Sequence, residues 1–85
     1  MDQPAVIVEW HPHKPDTWKK CEPEIETLLR AHAGPGEYKG KPLRVRIEQK
    51  ADGWFYTNVW SNNLSCPPSF AKTVDLALRK HRLQP

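Results

Sequence analysis

Six residues of this 85-residue chain carry side chains suited to metal ligation or covalent chemistry: His11, His13, Cys21, His32, Cys66 and His81. A structural zinc site draws on two close-set ligand pairs, because four donors must converge on one ion. His11-x-His13 supplies one pair, and neither Cys-x-x-Cys nor His-x-x-x-His is there to complete it. His11 and His13 therefore read as an exposed turn, and His32 and His81 as half-buried helix positions. No metal and no cofactor is expected. Cys66 precedes Pro67-Pro68 and a helical stretch, and a helix start is a place where a thiol pKa can fall. A nucleophile also needs a base and an oxyanion hole, and nothing in the sequence positions either. The acidic residues fall at helix starts and in one Asp-Gly turn, where local structure accounts for them. The chain reads as non-catalytic.

The remaining chemistry is recognition. Arg44, Arg46, Trp54, Tyr56 and Trp60 are concentrated in one stretch, and Lys72, Arg79 and Arg82 follow in a basic helical segment. Arg, Trp and Tyr dominate binding hot spots. The same types suit nucleic acid, where aromatic rings stack on bases and cations neutralise phosphate. These eight residues form the candidate binding set. The competing account is intramolecular: an exposed Arg–Trp stack contributes only about 0.5–1 kcal/mol, and the rings can pack under the proline-rich segments.

The stretch Lys41–Trp60 must position the first five. It holds two runs of strand character around Ala51-Asp52-Gly53, and Asp-Gly is a strong hairpin signal. In the first run Leu43, Val45 and Ile47 alternate with Arg44, Arg46 and Glu48. The second run is apolar on both faces, so the turn has to orient it. A loop of Asp52-Gly53 alone sends Trp54, Tyr56, Asn58 and Trp60 to the aliphatic face. A three-residue loop with Gly53 left-handed sends Phe55, Thr57 and Val59 there instead. The three-residue loop is preferred, since it buries Val59 opposite Val45 and avoids burying the Asn58 amide without partners. It pairs Arg46 with Asn58, Glu48 with Tyr56 and Arg44 with Trp60, and a one-residue slip inverts every side chain.

The flanking segments supply a layer for the aliphatic face. Ala5–Trp10 is β-branched and reads as a strand, stopped by Pro12 and Pro15. Asp16–Ala33 reads as two helical pieces. Asp16 caps the first, and the second begins at Pro23, with Glu22, Glu24 and Glu26 solvated in its opening turn. Ile25, Leu28, Leu29 and His32 make its buried stripe, and Gly34-Pro35 ends it. Gly34–Gly40 is glycine-rich but precedes a strand, so it reads as a connector and not a phosphate cradle. Ser61–Ser69 reads as a polar loop. A last helix, capped by Ser69 or Thr73, buries Phe70, Val74, Ala77, Leu78 and His81, while Lys72, Arg79 and Arg82 share another face.

The predicted fold is a single α+β domain over residues 1–85: a small three-stranded sheet in the element order β-α-β-β-α, with both helices packed on one face. Composition agrees, with 38% hydrophobic and 27% charged residues. Charge is uneven. Residues 1–38 carry four Lys/Arg and seven Asp/Glu, a balance of −3, whereas residues 39–85 carry nine and three, a balance of +6. Met1–Trp10 lacks a signal-peptide pattern, and no run approaches the roughly 18 apolar residues of a membrane span. A soluble cytoplasmic chain with free thiols at Cys21 and Cys66 is expected, without membrane contact.

The order helix, strand, hairpin strand, loop, helix across residues 22–83 resembles that of double-stranded-RNA-binding-like folds. Those domains carry a basic run at the start of the last helix. Here that position reads Ser69-Phe-Ala-Lys-Thr-Val-Asp75, with one lysine and one aspartate, so no functional residue is carried over. The expectation from sequence is a non-catalytic binding module, with nucleic acid slightly preferred as partner. The alternative is a small inhibitor or adaptor that binds a protein, of the kind found in phage and mobile elements. A homodimer through an exposed strand edge is a further possibility.

Overall fold

The computed structural model describes residues 5–33 and 41–84. The connector expected over Gly34–Gly40, and the helix stop at Gly34-Pro35, lie outside these residues. The elements run β1 (Val6–His11), α1 (Trp18–Ala33), β2 (Leu43–Gln49), β3 (Phe55–Ser61), β4 (Leu64–Ser65) and α2 (Pro68–Lys80). The sheet has the order β1-β2-β3-β4, with β1 parallel to β2 and the other pairs antiparallel. The α+β class and the two helices on one face are as predicted. The sheet has four strands, not three.

The fourth strand comes from a turn inside the segment read as a polar loop. Asn62 and Asn63 have φ of 50° and 63°. Two consecutive left-handed residues are what a two-residue primed hairpin turn demands, and Asn tolerates that conformation better than most side chains. Trp60 then pairs with Ser65 and Ser61 with Leu64.

The central hairpin takes the three-residue loop. Gly53 has φ of +87°, its N–H donates to the Lys50 carbonyl at 2.9 Å, and the Lys50 N–H donates to the Trp54 carbonyl at 2.9 Å. The register is the preferred one: Arg44 opposite Trp60, Val45 opposite Val59, Arg46 opposite Asn58 and Glu48 opposite Tyr56. Leu43, Val45, Ile47, Phe55 and Val59 are consequently buried, and meet Cys21, Ile25 and Leu29 of α1 and Phe70, Val74, Ala77 and Leu78 of α2. Ser61, buried among them, donates to the Pro42 carbonyl at 2.8 Å.

Three local expectations are corrected. First, α1 is one helix that runs through Pro23. A proline in a helix interior costs about 3 kcal/mol. Cys21, Ile25 and Leu29 lie at i, i+4, i+8 and are fully buried, and each such side chain contributes about 1.5–3 kcal/mol for the larger types, which outweighs the proline. The glutamates are therefore not an opening turn. Glu22 accepts from Trp10 Nε1 at 3.0 Å, Glu24 meets Lys80 and His81 at 3.2 Å each, and Glu26 pairs with Arg30 at 3.3 Å. His32 is exposed on the surface rather than in the stripe, its ring edge-on to Phe70 at 4.5 Å.

Second, α2 begins at Pro68 after Pro67, without a side-chain cap from Ser69 or Thr73. Proline at the first helical position needs no N–H partner and arrives with helical φ, so the cap is dispensable. Third, Arg82 is not on the helix. The Leu83 N–H donates to Leu78 O at 2.7 Å and the Arg82 N–H to Arg79 O at 3.0 Å, with Arg82 at φ 59°. That is a Schellman stop, with arginine in the left-handed slot usually given to glycine. It returns the chain to the sheet, where Leu83 O accepts the Phe55 N–H at 2.8 Å.

Candidate functional site

Period-two alternation puts one set of side chains on the sheet face that no helix covers. From β1 these are Ile7, Glu9 and His11, from β2 Arg44, Arg46 and Glu48, and from β3 Tyr56, Asn58 and Trp60. Pairing aligns them in rows across the strands: Ile7–Arg44–Trp60, Glu9–Arg46–Asn58 and His11–Glu48–Tyr56. Arg44, Arg46, Tyr56 and Trp60 of the candidate set therefore share one surface. Trp54 joins by the same parity at the hairpin end, with 36% of its surface exposed. Arg46, Glu48, Lys50, Tyr56 and Asn58 line a shallow depression of about 260 Å³ on this face.

Lys72 and Arg79 are elsewhere. They are exposed on α2 with Leu76, beside the half-buried Asp75, in the helix layer behind the sheet. Arg82 sits at the turn beyond α2. The eight candidates thus divide into five on the open face and three on the helix layer or its end.

The open face is a network of paired charges. Arg44 reaches Glu9 at 3.4 Å, Arg46 Nε donates to Glu48 Oε1 at 2.6 Å, and Lys50 Nζ to Glu48 Oε2 at 3.1 Å. Lys50 and Arg46, in that order, hold the Glu48 carboxyl below the usual carboxylate range. At the hairpin end, Tyr56 Oη donates to Asp52 Oδ2 at 2.7 Å and the Trp54 N–H to Asp52 Oδ1 at 2.9 Å. These two bonds lower the Asp52 pKa, and the same carboxylate raises that of Tyr56. Arg44 thus meets Glu9, Arg46 and Lys50 share Glu48, and Asp52 adds a third carboxylate held by Tyr56 and the Trp54 N–H. Exposed pairs of this kind add little stability. Their effect is to fix the rings and guanidinium groups in place.

The β1 residues of this face, Ile7, Glu9 and His11, were not assigned to it from sequence. They arrive only because β1 lies parallel beside β2, and no local signal specified that neighbour. Trp10, on the other side of β1, ties the strand to the core through Glu22 and an edge-on contact with Phe55 at 5.6 Å. Trp18 carries Lys14 Nζ over its ring at 4.1 Å, so that ring already holds a cation of its own chain.

The residues suited to covalent or metal chemistry are dispersed. Cys21 is fully buried, and burial pushes its thiol up to about 11. Cys66 is half-buried, and no disulfide joins it to Cys21. His81 contacts Glu24, and His32 contacts Ser69 Oγ at 3.3 Å. Among the described residues no three His, Cys, Asp or Glu side chains are grouped to hold a metal ion, and no helix is long and apolar enough to cross a membrane. Comparison of the chain with protein families, curated proteins and solved structures gives no match.

Proposed function

We propose that this chain is a non-catalytic binding module whose working surface is the open sheet face, and that its partner is a protein. One observation carries the choice of partner. Each cation contributed to this face by β2 and the hairpin end is held by a carboxylate of the same face. A phosphate backbone is bound by uncompensated Lys and Arg, which release counterions as they neutralise it. A balanced face lacks that drive. Protein interfaces take the opposite composition: rigid aromatic anchors with arginine, and pairs of opposite charge around them that set orientation. Trp54, Tyr56 and Trp60 supply the anchors, and Arg44, Arg46, Glu9 and Glu48 the oriented charges. The slight preference for nucleic acid drawn from the basic half of the sequence yields to this pairing. A small inhibitor or adaptor acting on a macromolecular partner fits the same reading. Self-association through a strand edge is compatible with it, because the edge of β1 lies beside the face and not across it.

A site-specific photo-crosslinker tests the assignment. Placed at Asn58 it sits on the open face, and placed at Thr27 it sits on exposed α1. In lysate of the source cell, the Asn58 probe should capture a discrete protein that the Thr27 probe does not, and Trp60→Ala should abolish the capture. Equal capture by both probes, or a crosslinked product that is nuclease-sensitive, would remove the reading. Single- and double-stranded oligonucleotides titrated at low salt should give no saturable binding.

A further inference from the structure

We propose that the outer edge of β1 pairs with β1 of a second copy of this chain, antiparallel about a two-fold axis at Val8, joining two four-stranded sheets into one. The argument begins with the backbone. In a parallel ladder, alternate residues of a strand turn their N–H and C=O to a given neighbour. The Leu43 N–H donates to the Ala5 carbonyl at 2.8 Å. That assigns the backbone groups of Ile7, Glu9 and His11 to β2 and turns those of Val6, Val8 and Trp10 outward. β1 is the end strand of the sheet. Among the described residues nothing bonds to the outward N–H or C=O of Val6, Val8 or Trp10.

The two edges of the sheet are built differently. The β4 edge is two residues long and closed by the left-handed Asn62-Asn63 turn, which leaves little to pair with. The β1 edge is six residues long, Val-Ile-Val-Glu-Trp-His, with no proline, no lysine and no glycine. Sheet edges of soluble chains are ordinarily blunted by such devices. The single acidic residue of β1, Glu9, is engaged inward by Arg44.

The occupant follows from self-complementarity. With the axis at Val8, the hydrogen-bonded positions are Val8 with Val8 of the copy, and Val6 with Trp10 of the copy, twice by symmetry. All of these side chains lie on the helix side and are apolar. On the open side, Ile7 stands opposite Glu9 of the copy. Moving the axis to Glu9 would set the two Glu9 carboxylates directly opposite, which destabilises a cross-strand pair. Moving it to Ile7 would leave Glu9, Trp10 and His11 beyond the end of the partner strand, which begins at Val6. Of these three central registers, the one at Val8 is left. It makes the two open faces continuous, so that the Arg44–Ile7 row runs into the Glu9–Arg46 row of the second copy. The dimer is independent of what the open face binds.

Sedimentation equilibrium of the full chain tests this over a wide concentration range. Wild type should fit a monomer–dimer equilibrium. Val8→Pro removes an outward N–H that β2 does not use, so it should keep the circular dichroism spectrum and weaken the dimer by about tenfold or more. Ile7→Glu places two carboxylates opposite each other without touching the backbone. It should weaken the dimer too, and added salt should restore part of the loss. Ile7→Lys should tighten it. If Val8→Pro fails to fold, the Ile7 pair decides. A wild type that stays monomeric throughout, or a dimer unchanged by both Ile7 substitutions, overturns the proposal. Neither result bears on crosslinking from Asn58.

Discussion

The two faces of the sheet come from the same strands and are stabilised by opposite means. Toward the helices, Leu43, Val45 and Ile47 are fully buried and Phe55 and Val59 nearly so. Ser61 and Thr57, the polar side chains that β3 sends there, donate to the Pro42 and Arg46 carbonyls. One residue along each strand, the other face exposes arginines and carboxylates that are paired with one another, with aromatic rings beside them. The first face is stabilised by area removed from solvent. The second contributes order and composition with little free energy. A substitution that costs the fold belongs to the first, and one that changes what the surface recognises belongs to the second.

The sharpest contrast is between adjacent residues of β2. Ile47→Ala should destabilise the chain by about 2–5 kcal/mol, seen as a lower urea midpoint. Arg46→Ala, its neighbour, should leave the midpoint nearly unchanged while abolishing partner capture. If the two costs were similar, the faces would not differ as described.

A second test uses pH on the buried layer. Burial raises the Cys21 thiol from 9.0 to about 11, with Glu24 and Glu22 adding to the effect. The folded state therefore holds its proton to higher pH than the unfolded chain. The stability linked to this group is fully present below about pH 9 and is lost as pH rises toward 11. The total is on the order of 2–3 kcal/mol. Chemical denaturation across that range should show the decline in wild type and a flatter profile in Cys21→Ala. Thiol alkylation at neutral pH should reach Cys66 well before Cys21.

The turn is the hinge of the comparison, because the register decides which side chains reach which face. Gly53 has open space around its missing Cβ, so Gly53→Ala meets only the backbone penalty of a left-handed residue, about 1–2 kcal/mol. Loss of stability should come without a change in the tryptophan fluorescence maximum. A shifted maximum would mean that the register slips and the rings exchange faces.

The smallest expected effect on stability has an informative effect on recognition. Glu48→Gln removes the carboxylate that holds Arg46 and Lys50, leaving the face cationic. The thermal midpoint should barely move, while oligonucleotide retention at low salt should rise above that of wild type. Wild-type retention should also rise in acid. The Glu48 pKa is depressed in the folded state, so the pairing persists above the usual carboxylate range and is lost only as pH falls through the lower folded value. No rise in either case would mean that charge balance is not what keeps this face from binding phosphate.

Much of this was legible in the residues. The alternation of Leu43, Val45 and Ile47 with Arg44, Arg46 and Glu48 named the two faces of β2 before any neighbour was known. The cost of burying Asn58 was enough to choose the three-residue loop, and with it the placement of Trp54, Tyr56 and Trp60. The helix stripes at Ile25 and Leu29, and at Phe70, Val74, Ala77 and Leu78, followed from their spacing. The errors have local causes. Pro23 was weighed as a helix breaker, whereas the Cys21–Ile25–Leu29 line shows that burial wins. Asn62-Asn63 was read as loop polarity and not as a primed turn. Arg82 was extended along a helix that stops two residues earlier.

The sequence by itself therefore determined β1, β2 and β3, most of the buried stripes of the helices, the hairpin register and the division of β2 into an apolar and a charged face. These are local matters, set by side-chain periodicity, turn chemistry and the cost of burying an amide. The tertiary structure decided the neighbours. It set β1 parallel to β2, which brought Ile7, Glu9 and His11 to the open face and left a six-residue strand edge with no pairing strand among the described residues. It sent Lys72 and Arg79 behind the sheet, away from the arginines they had been grouped with. It also set Glu9 of β1 against Arg44, whereas Arg46 and Lys50 meet Glu48 two residues away in the chain. Net charge is a sum over the chain, but the potential of a surface depends on which carboxylate stands next to which cation: alternation along β2 decides that for Glu48, and only the packing of β1 beside β2 decides it for Glu9.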